Sequence, residues 1–309
     1  MWPEPGDPVA TTNTATREYK CITFTSDPPP RTKIRRMLAD LGITERNCEL
    51  EDLDGVYFVR MPTTDPRLDG LIAALNKLPF DPPWSLRIEV EYDRSDLESC
   101  EFVALDVNRA PKGDTGLAYG TEYDLSTGCP ECGTGARQIS ALRINASALP
   151  KKARIMRTYN SDILIDHELA NDLMIELRSD RGLRQVEDRR SHKPLPWWQI
   201  LPDTYMPPVD PSTGLRTEDQ CPRCRRNGFY GREDQRPIEY TYRMSRRDRS
   251  TLPDFVYTWE HGGFSSLKPR PGYVASLAQA DVLISNRVMR ILWARNIRGL
   301  ELTPVRFVE

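Results

Sequence analysis

Four of the seven cysteines stand in two pairs of identical spacing, Cys129-Pro130-Glu131-Cys132 and Cys221-Pro222-Arg223-Cys224. A two-residue gap lets both sulfurs of a pair turn toward one ion, and two such knuckles supply the four thiolates of a closed structural zinc site. About 88 residues separate the knuckles, more than a simple zinc ribbon spans, so one shared ion requires a folded subdomain between them. Separate sites would each need two further ligands, and His167, His192 and His261 are too few and too scattered to supply them. The spacing therefore predicts one structural Zn2+ held by Cys129, Cys132, Cys221 and Cys224. Its filled shell would leave no open position for Lewis-acid chemistry. A redox dithiol is the competing reading of any C-x-x-C, but neither pair opens a recognisable thioredoxin-like βαβ unit. Cys21, Cys48 and Cys100 stand alone and read as small apolar packing residues.

At 309 residues the chain can bury a sizeable core in one large or two ordinary domains. Its hydrophobic and charged shares, 39% and 28%, are those of globular proteins. No apolar stretch reaches the ~18 residues of a membrane span. The first residues, Met1-Trp2-Pro3-Glu4-Pro5-Gly6, lack the basic and apolar regions of a secretory leader, so a cytoplasmic protein is expected. A formal net charge of −2 offers no long-range attraction to nucleic acid or an anionic membrane.

Residues 1–17 mix Pro, Gly, Thr, Asn and Ala without period and read as a flexible tail. From Tyr19 a β-rich run is followed by helical spacing at Ile34, Met37, Leu38 and Leu41, with Gly42 at the C-cap. Val56-Tyr57-Phe58-Val59 reads as a strand. A helix through Leu68, Leu71, Ile72 and Leu75 follows, with Asp65 as N-cap and Pro66 at N1. Two more strands are expected around Leu86–Val90 and Phe102–Leu105. The order β-α-β-α-β-β over residues 18–110 predicts a small N-terminal α/β sandwich of ferredoxin-like topology. The glycines between 109 and 128 match no phosphate-loop pattern and read as a linker.

Residues 111–309 then read as a zinc-stapled α+β domain containing an internal repeat. Asp162-Ile163-Leu164-Ile165-Asp166 is echoed by Asp281-Val282-Leu283-Ile284-Ser285, and Arg181-Gly182-Leu183 by Arg298-Gly299-Leu300. Each copy, about 160–186 and 279–305, predicts a strand entering a helix capped by Asp166 or Ser285, with the glycine ending that helix. Two copies are too few for a solenoid and predict a pseudo-symmetric pair. The segment Pro194–Pro202 with Trp197 and Trp198 reads as packing. Two period-two runs, at Ile238–Tyr242 and Phe255–Trp259, read as strands.

No catalytic constellation emerges, so a non-enzyme is expected. His167-Glu168 begins like a zinc-protease helix, but Asn171 stands where the second histidine is needed. Arg223, Arg225, Arg226 and Arg232 surround Phe229 and Tyr230 and are candidate partner-binding residues. Arginines interleaved with aromatics can clamp phosphates and stack bases, which makes a zinc-ribbon nucleic-acid binder one reading. The acidic residues Glu233 and Asp234 interrupt the run and favour a mixed-charge surface.

With the knuckles and repeat in view, residues 120–309 resemble the double-CXXCG-motif paralogous proteins of myxobacteria and related immunity proteins of polymorphic toxin systems. The resemblance is carried by Cys129-Pro130-Glu131-Cys132-Gly133, Trp197-Trp198-Gln199-Ile200-Leu201-Pro202, the second knuckle, Trp259-Glu260-His261-Gly262-Gly263, and Asp281–Val305. Arg225 stands where that pattern has glycine. The resemblance implies a bacterial, non-catalytic immunity protein whose partner is a cognate protein toxin.

Overall fold

A computed structural model of the chain describes residues 17–25, 31–44, 49–53, 56–78, 84–107, 116–150, 152–158, 160–232, 234–263, 265 and 277–309. The expected tail through residue 16 and Cys48 lie outside the described residues. The fold is mixed α+β, in two compact units: Met1–Ser95 with Asp234–Pro237, and Asp96–Glu233 with Ile238–Glu309.

The first unit runs β1 (Arg17–Thr25), α1 (Arg31–Asp40), β2 (Glu49–Leu53), β3 (Val56–Pro62), α2 (Leu68–Leu75), β4 (Ser85–Glu91). Its sheet has the order β2-β3-β1-β4 with every pairing antiparallel. Alternation along the strands sends Ile22, Phe24, Tyr57, Val59 and Met61 to one face. There they bury against Ile34 and Leu38 of α1 and Leu68, Leu71 and Leu75 of α2. Arg60 points elsewhere, forking to Glu89 at 2.7 Å and Glu91 at 2.6 Å with Tyr19 stacked on its guanidinium. Gly42 closes α1 in the left-handed region, its N–H donating to Ala39. Asp65 is not the N-cap of α2: the helix starts at Leu68, and the Asp65 carboxylate accepts the Arg67 N–H and guanidinium instead. That pairing holds its carboxyl below the usual range. A short return of chain joins this unit late, where the Gln235 carbonyl accepts the Ile88 N–H and Arg236 pairs with Glu18 at 2.9 Å.

The chain passes through α3 (Arg94–Ser99) into the second unit, which follows in order: β5 (Phe102–Val107), β6 (Tyr123–Asp124), β7 (Arg137–Gln138), β8 (Arg143–Ile144), β9 (Ile155–Arg157), β10 (Ile163–Asp166), α4 (His167–Leu177), β11 (Leu183–Asp188) and β12 (Pro194–Ile200). It ends with β13 (Leu215–Thr217), β14 (Phe229–Arg232), β15 (Thr241–Arg243), α5 (Arg246–Arg249), β16 (Phe255–Gly262), β17 (Gln279–Ser285), α6 (Asn286–Ala294), β18 (Leu300–Pro304) and β19 (Arg306–Val308). A five-stranded sheet has the order β8-β11-β12-β10-β9 and a six-stranded one β13-β14-β16-β17-β5-β18. β5 thus lies at the heart of the second unit rather than in the N-terminal domain, which ends near residue 95 instead of 110. Nor are residues 116–128 a linker: Thr121 is buried and accepts the Arg143 N–H, and β6 pairs with β7.

The two repeat copies adopt one local design. In each, a strand enters a helix and the chain returns parallel to the first strand with one antiparallel strand between: β10-α4-β11 encloses β12, and β17-α6-β18 encloses β5. The Asp166 carboxylate accepts the Leu169 N–H at 2.7 Å and the Ser285 hydroxyl accepts that of Val288 at 3.3 Å, capping the helices. Their C-termini differ from expectation. Arg178, not Gly182, takes the left-handed position ending α4. Gly182, at φ +84°, serves the turn into β11, where a Cβ would meet Phe255 at 3.0 Å. Leu283 on β17 is fully buried with Val256, Tyr242 and Val305. Leu283→Ala should therefore cost about 2–5 kcal/mol in denaturant unfolding. Ile175→Ala on exposed α4 surface should stay within about 0.5 kcal/mol.

Candidate functional site

Each knuckle is a tight turn of the same form. The Gly133 N–H donates to the Cys129 carbonyl at 2.7 Å, and the Arg225 N–H to that of Cys221 at 3.0 Å. Both closing residues are left-handed, Gly133 at φ +76° and Arg225 at φ +55°. Arginine thus adopts the conformation glycine supplies elsewhere, at a cost of roughly 1–2 kcal/mol. The Asn227 side chain accepts the Cys221 N–H at 2.8 Å and steadies the second turn.

The fold brings the knuckles together. Cys129 Sγ lies 3.8 Å from Cys221 Sγ and Cys132 Sγ 3.6 Å from Cys224 Sγ, and all four sulfurs fall within 4.8 Å of one another. Four thiolates at about 2.3 Å from a tetrahedral ion stand about 3.8 Å apart, so the sulfurs fit one metal ion at their centre. Cys129 and Cys221 are buried and the other two half-buried. Burial opposes ionisation of Cys129, but the N–H groups of Cys132 and Glu131 outweigh it and bring that thiol down to about 7. Burial and hydrogen bonds with Cys132 and Cys129 push Cys224 up to about 12. A dication favours the ionised form of every ligand. Among the described residues this is the one cluster of metal-binding type. Cys100 is buried, and Cys21 is half-buried beside Glu89, with burial pushing its thiol up to about 12.

The four arginines singled out in the sequence do not form one surface. Arg223 and Arg225 are exposed. Arg226 turns inward, its guanidinium 4.8 Å from the Tyr205 ring centre and 5.5 Å from that of Trp259, with Nε donating to the Trp259 carbonyl. Arg232 donates to the Thr213 carbonyl at 2.9 Å. His167 opens α4 and bonds Asn171, the residue that replaces a second metal ligand, and Trp198 Nε1. Trp197 is in the core with Leu164 and Val186.

Asp162 is a candidate that the fold brings out. Just before β10, its carboxylate accepts Thr158 Oγ1 at 3.0 Å and Gln199 Nε2 at 2.9 Å, and Gln199 in turn pairs with Gln138 of β7. Burial raises it to about 6, against the opposing pull of these bonds. Its counterpart in the second copy, Asp281, is also pushed up by burial and accepts the Tyr240 hydroxyl. The repeat itself was the available signal, since both copies begin with aspartate. His261, buried against Tyr205, is lowered to about 4 by burial and by Arg226, and so is neutral at physiological pH.

Comparison with protein-family models, curated proteins and solved structures finds no match. No helix among the described residues is long and apolar enough to cross a membrane.

Metal analysis of the purified protein should give one ion per chain, lost in Cys221→Ser. Two ions, or undiminished content in the variant, would refute the shared site. A second measurement concerns Asp162, whose folded-state pKa of about 6 lies above the ordinary carboxylate value. The folded state therefore holds a proton that the unfolded chain has released, and this stabilisation is present at low pH and lost as pH rises through about 6. Relative to Asp162→Asn, the wild type should lose stability between about pH 4 and pH 7 in urea titrations.

Proposed function

We propose that this is a non-catalytic immunity protein that binds and neutralises a cognate bacterial toxin, with one structural zinc ion joining its two knuckles. The zinc reading is supported by the four-sulfur donor set at tetrahedral spacing, which suits a closed zinc shell. Such a shell stabilises the fold and leaves no site for a reacting water. The immunity reading is supported by the resemblance of residues 120–309 to immunity proteins. Arg223 and Arg225 lie on the second knuckle, and Leu125 and Ile139 are exposed apolar residues close in sequence to the first. Exposed arginine and exposed apolar side chains are both used by protein interfaces. The ferredoxin-like reading of the first unit is supported by its β-α-β-β-α-β order and antiparallel 2-3-1-4 arrangement.

The alternative of nucleic-acid binding draws on the same arginines, two of which are committed inside the fold. The observation that carries the protein-binding reading is this division of the arginine cluster. Of these four only Arg223 and Arg225 remain outward, a pair that suits an acidic protein patch better than a tracked phosphate backbone. The test is co-expression with a toxin candidate encoded beside it. Protection is expected in a cytoplasmic assay, with complex formation weakened at least about tenfold by Arg223→Glu combined with Arg225→Glu and metal content unchanged. Absence of protection, together with tight binding to a defined RNA or DNA that collapses steeply with salt, would favour the alternative.

A further inference from the structure

Near the four-cysteine site the second unit holds an open cavity of about 400 Å³, lined by β6, β7, β16 and β17 and the chain after β12. That volume lies within the range of small-molecule pockets, roughly 300–1,000 Å³, and far above the ~30 Å³ share of one water.

Its polar groups are left incomplete. Arg226 Nη2 is buried without a hydrogen-bond partner, although the guanidinium is held in place by Tyr205 and Trp259 and by the close approach of Gly135, where a Cβ would lie 2.8 Å from Nη1. The guanidinium that lines the cavity is thus rigidly held and incompletely hydrogen-bonded. The hydroxyls of Tyr123 and Tyr257 also line the cavity and make no hydrogen bond among the described residues. Arg184 lines it too, its Nη1 fixed by the Gln138 and Ser140 carbonyls at 3.1 Å each.

Charge selects the ligand. Arg137, Arg184 and Arg226 face two carboxylates. Of these, Asp203 is committed to Arg181 at 3.0 Å, and Asp162 already accepts two hydrogen bonds. Apolar surface is supplied by Leu201, Leu277 and the Tyr257 ring.

We propose that this cavity binds a small organic anion, a carboxylate or phosphate carried on an apolar body, with the Arg226 guanidinium and the Tyr123 and Tyr257 hydroxyls donating to the oxyanion. The site is independent of the toxin-binding reading. Its assay contains no toxin, so either proposal can fail alone.

The test titrates the intact, metal-loaded protein with benzoate, phenyl phosphate, inorganic phosphate and neutral benzyl alcohol, by calorimetry and ligand-detected NMR. Benzoate or phenyl phosphate should bind at millimolar concentration or better, and whichever binds more tightly identifies the oxyanion. Inorganic phosphate and benzyl alcohol, lacking the body or the charge, should bind at least about tenfold more weakly. Arg226→Met should weaken the organic anion at least about tenfold. Because Arg226 lies beside the metal knuckle, Tyr257→Phe serves as a second variant that keeps the ring, and a weakening of about two- to tenfold is expected. Failure of both organic anions to bind the wild type, equal binding of benzyl alcohol, or unchanged affinity in the two variants would overturn the proposal.

Discussion

Everything in the second unit depends on holding two tight turns together that are some 88 residues apart in the chain. The sulfurs of Cys129 and Cys221 approach to 3.8 Å and those of Cys132 and Cys224 to 3.6 Å, a closeness that four ionised thiolates would not tolerate without a cation between them. Closing so long a loop is less costly than it looks, because each doubling of length adds only about 0.6 kcal/mol. The insertion is moreover folded, with the five-stranded sheet inside it. What the closure adds is precision: it sets Gly135 against the Arg226 guanidinium, and with it one wall of the cavity.

The sequence was most informative where chemistry is local. Cysteine spacing located the four-sulfur cluster, and helix caps at Asp166 and Ser285 follow from short-range hydrogen bonding that any capped helix needs. It misled where a signal is shared between structures. Gly182 looked like a helix terminator, but Arg178 takes that role, because a left-handed residue is needed at Arg178 and the glycine four positions later is needed against Phe255. Arg226 and Arg232 looked like surface charge, and only tertiary contacts with Tyr205, Trp259 and Thr213 reveal them as internal braces. The strand at Phe102–Val107 was recognisable as a strand, but its pairing partners lie more than 170 residues later, beyond any local pattern.

The repeat carries more than a shared outline. Both copies open with an aspartate placed where burial raises its pKa, each answered by a different donor, Gln199 for Asp162 and Tyr240 for Asp281. The helices of the two copies meet through Arg295 and Asp172 at 2.7 Å, and strands β9 and β5 through Arg157 and Asp106 at 2.7 Å. The copies differ in where the enclosed antiparallel strand originates. In the first it follows from the chain immediately downstream, and in the second it arrives from far upstream.

That difference imposes an order of events during synthesis. The first copy, complete by Ile200, can condense while the ribosome is still translating the second copy. β5, with Phe102, Val103, Leu105 and Val107 buried in the finished protein, emerges early but finds its neighbours β17 and β18 only after residues 279–304 have been made. At about 5–20 residues per second, this apolar strand waits for roughly ten seconds or more with both edges unpaired. During translation it is the segment most exposed to mispairing and to capture by chaperones.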